Sequence, residues 1–189
     1  IAVITPQRYD IIDSQHNAVS RDTVVMTGSA DSASKGKYRH YMQKEIFEQP
    51  IVIANALRGR ISRNRVLEEI LGTEAKAVLD KTKAVQIVAC GTSYHSAMVA
   101  KYWIEGVAGV ACRVEVASEF RYRKFVVTDN TLLVTISQSG ETADTLAALR
   151  LAKTLGYTST LAICNVAQSF LVRESDLCLM TEAGPEVGV

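Results

Sequence analysis

The chain has 189 residues, 48% hydrophobic and 22% charged, a composition typical of globular domains that excludes disordered and fibrous classes. Its 21 basic and 20 acidic residues leave a formal net charge of +1, so it carries no bulk electrostatic footprint for nucleic acid or an anionic membrane, and any bound anion must be held locally. The length suits one α/β domain with a smaller attached piece.

At the start, two short β-branched runs at 1–4 and 9–12 flank Pro6, and a third run at 23–27 completes what reads as the antiparallel edge of a sheet. Residue 1 is Ile rather than Met and no signal peptide precedes the first run, which reads as an internal piece of a longer polypeptide. The small, polar, glycine-containing stretch 31–37 has linker chemistry and predicts a domain boundary. A short helix at 41–49 is expected to stop at Pro50, with helical character resuming over 51–57. Apolar positions Val66, Leu67 and Ile70, then Ala75, Val78 and Leu79, recur at three- and four-residue spacing and predict helices over 65–71 and 74–82.

From Ala84 onward the pattern becomes strands alternating with helices. Strands are predicted at 84–90, 112–117, 131–137, 159–164 and 177–181, with helices from 91 to about 107, from 141 to 155, and briefly near Phe170. The strands are continuous apolar runs rather than alternating ones, as expected when helices cover both faces of a parallel sheet. The fold class is therefore α/β, a doubly wound parallel sheet preceded by helices and a small β remnant. Tyr102 and Trp103 fall within the first of these helices and are expected to pack. The longest apolar runs fall well short of the ~18–20 residues of a membrane-spanning helix, which predicts a soluble chain. Cys90, Cys112, Cys164 and Cys178 lack C-x-x-C spacing and lie in or beside strand-like segments, so buried, reduced thiols in a cytoplasmic protein are expected. His16, His40 and His95 show no metal-ligand spacing, and no metal or cofactor site is predicted.

Two strand-to-helix turns share one character. Cys90-Gly91-Thr92-Ser93 follows the first strand of the sheet, and Ser137-Gln138-Ser139-Gly140-Glu141-Thr142 follows the third. Each is rich in hydroxyls, holds a glycine and opens a helix, where unpaired N–H groups and a partial positive charge favour an anion. In a flavodoxin-like strand order the first and third strands are neighbours at the switch point, so both loops would face one crevice. Ser and Thr are also ordinary N-caps worth about 1 kcal/mol, and each loop alone reads either way. Glu141 competes for the same helix dipole and would have to point away. Neither a G-x-x-x-x-G-K-[ST] nor a G-x-G-x-x-G motif is present, which disfavours ATP and dinucleotide sites.

The segments CGTSYHSAMVAKYW, ASEFRYRK, TISQSGETADTLAALRLAK, AICNVAQSFLVRESD and EAGPEVGV resemble the glucosamine-6-phosphate synthase (glutamine:fructose-6-phosphate amidotransferase) family, and YRHYMQKEIFEQP looks like that family's interdomain linker. The resemblance implies the last strands of a glutaminase domain at 1–30, a linker with a short helix at 31–50, and a first sugar-isomerase (SIS) domain at 51–189. It implies that Ser137, Gln138, Ser139 and Thr142 hold the phosphate of fructose 6-phosphate or glucosamine 6-phosphate, that Thr92 and Ser93 bind from the other loop, and that Val189 touches the sugar. It further implies a homodimer that takes glutamine in an upstream domain. The cysteine nucleophile would lie upstream, and the Schiff-base lysine, proton-transferring glutamate and ring-opening histidine downstream, so no catalytic residue is assigned here. The alternative is a non-catalytic sugar-phosphate-binding regulator with the same domain type, against which the glutaminase-like first residues and the linker argue.

Overall fold

A computed structural model of the chain describes residues 1–22, 34–63, 65–124 and 126–188. Two compact units separate, Ile1–Ser34 and Lys35–Val189. In the first, strands β1 (Ala2–Ile4) and β2 (Tyr9–Ile11) pair antiparallel with Ala2 opposite Ile11. Thr5 closes the turn between them, its hydroxyl donating to the Arg8 carbonyl at 3.0 Å and accepting from the Arg8 amide at 3.1 Å. The predicted run at 23–27 and part of the predicted linker lie outside the described residues.

The second unit opens with helix α1 (Tyr41–Leu57), which runs unbroken through Pro50. The expectation that Pro50 stops the helix is thus corrected. A proline removes one intrahelical donor and crowds the preceding turn, but the turns on either side keep their own bonds and hold the helix together. The predicted helix at 65–71 shrinks to one 3-10 turn, Glu68–Leu71. Val66 is instead drawn into a bridge with Ile61, and the Leu67 amide donates to the Arg60 carbonyl at 2.9 Å, so the first part of that segment is extended. Helix α2 (Ala75–Lys81) follows.

The sheet is built from β3 (Ala84–Ala89), β4 (Ala111–Val116), β5 (Thr131–Ser137), β6 (Ser159–Cys164) and β7 (Leu177–Met180), all parallel, in the order β4-β3-β5-β6-β7. The connections are α3 (Gly91–Trp103), extended by a π turn to Ala108, then α4 (Ala117–Phe120), α5 (Ala143–Ala152) and α6 (Phe170–Glu174). Successive strand residues point to opposite faces, and the core divides accordingly. Val88 and Leu133 pack with Phe120, Leu149 and Leu171 under α4, α5 and α6. Ile87, Leu132 and Val134 pack with Ala75 and Ala97 under α2 and α3. Burial on both faces is why the strands read as unbroken apolar runs. Tyr102 and Trp103 depart from expectation: they are 71% and 67% exposed. Helix α3 turns Ala97 and Ala100 toward the sheet, which leaves these two residues on its outer side.

Candidate functional site

Strands β3 and β5 are direct neighbours in register, with Ala89 opposite Ile136. The residues that follow, Cys90 and Ser137, therefore leave the sheet side by side at its carboxyl edge. This is the switch point of the strand order, since the chain proceeds outward to β4 on one side and to β6 and β7 on the other. A depression of about 320 Å³ opens there, lined by Cys90, Thr92, Ser93, Ile136, Ser137, Gln138, Ser139, Thr142 and Glu186. All six of the candidate residues 92, 93, 137, 138, 139 and 142 thus border one space, while Val189 lies outside the described residues.

The second loop is wired from within. Ser137 is buried, its hydroxyl accepting from the Gly140 amide at 3.1 Å and pairing with the Thr142 hydroxyl at 3.1 Å. The Ser139 hydroxyl accepts from the Glu141 amide at 3.2 Å, which leaves its hydrogen to donate outward. The Gln138 carbonyl accepts from the Asn165 amide at 3.1 Å and ties the loop to the end of β6. Gly140 sits at φ +67°, where a Cβ would overlap the Ser169 hydroxyl and lie 2.8 Å from Cys164 Sγ. Only glycine lets the loop press this closely on the neighbouring turn.

The capping alternative can be weighed on geometry. The N-cap of α3 is Cys90 and that of α5 is Thr142, and neither side chain accepts a capping bond. Ser169 at the start of α6 behaves differently, accepting from the Val172 amide. The Thr142 hydroxyl is therefore not consumed by the helix it opens, and the opening N–H groups of α3 and α5 lack intrahelical partners. Glu141 turns away, as an anion site requires: its carboxylate accepts from the Phe170 amide at 2.9 Å and does not line the depression. Among the described residues no Lys or Arg lines it either. Backbone amides, hydroxyls and the Gln138 carboxamide are the available donors.

Reading the loops passed over Glu186, which reaches the rim from the segment after β7. Nothing in its local pattern marks it. Its place depends on how residues 181–188 fold back, a path held by Asn165, which donates to the Gly184 carbonyl at 2.6 Å and accepts from the Ala183 amide at 2.7 Å and the Thr181 hydroxyl at 2.9 Å. All four cysteines are free thiols, and burial raises the Cys112 and Cys178 thiols above their ordinary value. Among the described residues no cluster of three or more His, Cys, Asp or Glu could hold a metal ion, and no helix is long and apolar enough to cross a membrane.

Comparison with known proteins gives this geometry a context. Glutamine–fructose-6-phosphate aminotransferases (isomerizing) of Haemophilus influenzae and Pseudomonas aeruginosa are 58% and 59% identical to the chain over all 189 residues. The chain spans 31% of the length of each. The C-terminal domain of glucosamine-fructose-6-phosphate aminotransferase from Francisella tularensis superposes with a TM-score of 0.79 at 52% identity, covering 82% of this chain and 43% of that one. The SIS domain model matches residues 78–189, the span that holds the sheet, both hydroxyl-rich loops and the depression between them, and so the chain belongs to the SIS domain family.

Proposed function

We propose that the depression between the starts of α3 and α5 binds the phosphate of fructose 6-phosphate, and that this chain is the phosphate-anchoring part of an isomerizing glutamine–fructose-6-phosphate aminotransferase that forms glucosamine 6-phosphate. The observation that carries this reading is the meeting of Thr92 and Ser93 with Ser137, Gln138, Ser139 and Thr142 around one opening at the switch point. Two helix starts and several hydroxyls aimed at one space suit a compact dianion. The full-length identity to aminotransferases supports the choice of substrate, because it extends through the first thirty residues, which a stand-alone sugar-phosphate module would not need.

On this reading the phosphate is the handle rather than the reacting group. Binding energy collected at a remote phosphate holds the sugar's carbonyl end in place for chemistry done elsewhere. Ser139, Thr142, Thr92 and Ser93 donate to phosphate oxygens, Ser137 holds Thr142 and the Gly140 amide in place, and Gln138 offers an amide to the ligand. Val189 contacts the sugar. Glu186 suits the hydroxyl-bearing end of the ligand, since a carboxylate accepts from hydroxyls and repels phosphate. The same proposal includes the division into glutaminase-domain strands at 1–30, a linker at 31–50 and the SIS domain at 51–189, with glutamine hydrolysis and the covalent steps assigned to residues beyond this chain, in a cytoplasmic homodimer.

Calorimetric titration tests it. Fructose 6-phosphate should bind and fructose should not, and Ser139→Ala or Thr142→Ala should each weaken binding about tenfold, the loss expected for one hydrogen bond to a charged group. Equal binding of the two sugars, or unchanged affinity in both variants, would overturn the assignment.

A further inference from the structure

The segment after β7 does not stay with the sheet. Residues 181–188 run back across the carboxyl edge, carry Glu186 to the rim of the depression, and end against the first turns of α1. Two observations fix that end. The Glu45 carboxylate, on α1, accepts from the Val187 amide at 2.8 Å and from the Gly188 amide at 2.9 Å. Gly188 also lies so close that a Cβ there would come within 2.8 Å of Glu45 Oε2 and 2.9 Å of the Met42 amide nitrogen. One carboxylate oxygen thus gathers two successive backbone donors, and the backbone of the segment rests on the backbone of the helix.

We propose that Glu45 is a positioning residue for the sugar end of the site: by clamping Val187 and Gly188 it holds the segment that carries Glu186, so that α1 shapes the ligand pocket without touching the ligand. Neither the loop motifs nor the match over residues 78–189 includes Glu45. The clamp touches none of the cradle residues: Ser137 holds the Gly140 amide and Thr142, and Asn165, whose amide bonds the Gln138 carbonyl, fixes the near part of the same segment at Thr181, Ala183 and Gly184, while Glu45 fixes its far end. It is charge-assisted on one side only, an anion receiving neutral N–H groups, and the two bonds keep the Glu45 carboxyl below its usual range. A glutamine keeps an oxygen acceptor at the same reach, whereas alanine leaves both amides without one.

The inference rests on the phosphate-site reading above and is tested in the full-length protein by titrating fructose 6-phosphate and, separately, inorganic phosphate into wild type, Glu45→Ala, Glu45→Gln and Gly188→Ala. Glu45→Ala should weaken fructose 6-phosphate about tenfold and leave inorganic phosphate within about twofold, while Glu45→Gln recovers most of the loss. Gly188→Ala, which attacks the same contact from the other side, should reproduce the split, and it keeps the test alive should Glu45→Ala fail to fold. Equal weakening of both ligands, or wild-type affinity for fructose 6-phosphate in Glu45→Ala and Gly188→Ala, would overturn the positioning role. Absence of fructose 6-phosphate binding in wild type would instead overturn the phosphate reading itself.

Discussion

Replacing Gly140 with alanine is a test of the loop's construction whose size can be worked from the structure. The residue sits at φ +67°, where a side chain costs about 1–2 kcal/mol. The new methyl would also overlap the Ser169 hydroxyl and lie 2.5 Å from Ser169 Cβ and 2.8 Å from Cys164 Sγ, and forced overlap in a packed site costs about 1–3 kcal/mol more. The sum, roughly 2–5 kcal/mol, is a large part of the 5–15 kcal/mol that holds a typical domain folded. Urea denaturation of Gly140→Ala against wild type measures it as a drop in midpoint at unchanged slope. Adding Ser169→Gly removes the hydroxyl and its Cβ, and a glycine cap costs only a few tenths of a kcal/mol relative to serine, so the double variant should recover the Ser169 part of the overlap but neither the Cys164 contact nor the backbone share. A loss below about 1 kcal/mol in the single variant, or no recovery in the double, would show that the turn at Gly140 yields freely and that the loop is not built as described.

Two further outcomes follow from the same contacts. Glu141→Gln should leave fructose 6-phosphate affinity within about twofold of wild type, because the carboxylate it neutralises faces the Phe170 amide rather than the ligand; a gain of about tenfold, read by calorimetry, would mean that its charge reaches the phosphate. Asp176 accepts from the Thr160 amide and hydroxyl, both at 2.8 Å, and from the Ser159 hydroxyl at 3.1 Å. Burial alone would raise its carboxyl, but those donors outweigh burial and hold it below its ordinary value of 3.8. A folded value below the unfolded one means that the contribution is complete above that ordinary value and is lost as pH falls through the lowered one, so stability measured by urea denaturation should decline more steeply with acid in wild type than in Asp176→Asn. Parallel acid profiles would remove Asp176 as the cause.

Much of the fold was legible along the chain because its signals are local. The strand 131–137 reads directly from seven residues bounded by Asn130 and Gln138, and 159–164 likewise, since a strand covered on both faces needs nothing but continuous apolar and β-branched residues. Failures fell where something other than the local residue pattern decides. Pro50 carries a strong local stop signal that the rest of α1 overrides, and the apolar spacing at 65–71 gives way to a bridge between Ile61 and Val66 that no helical period reveals. Tyr102 and Trp103 look like core by type, yet their exposure depends on which side of α3 meets the sheet.

The site divides along the same line. By itself the sequence determined that two loops rich in serine, threonine and glycine open helices after the first and third strands of the sheet, because hydroxyl content, glycine placement and the switch from strand to helix are written in consecutive residues. Only the tertiary structure decided that β3 and β5 lie side by side, that Glu141 faces the Phe170 amide, and that the segment carrying Glu186 folds back onto Glu45. Those three outcomes depend on strand order, rotamer and chain path, each set by contacts between residues far apart in the chain, and such contacts leave no periodic trace in the residues that make them.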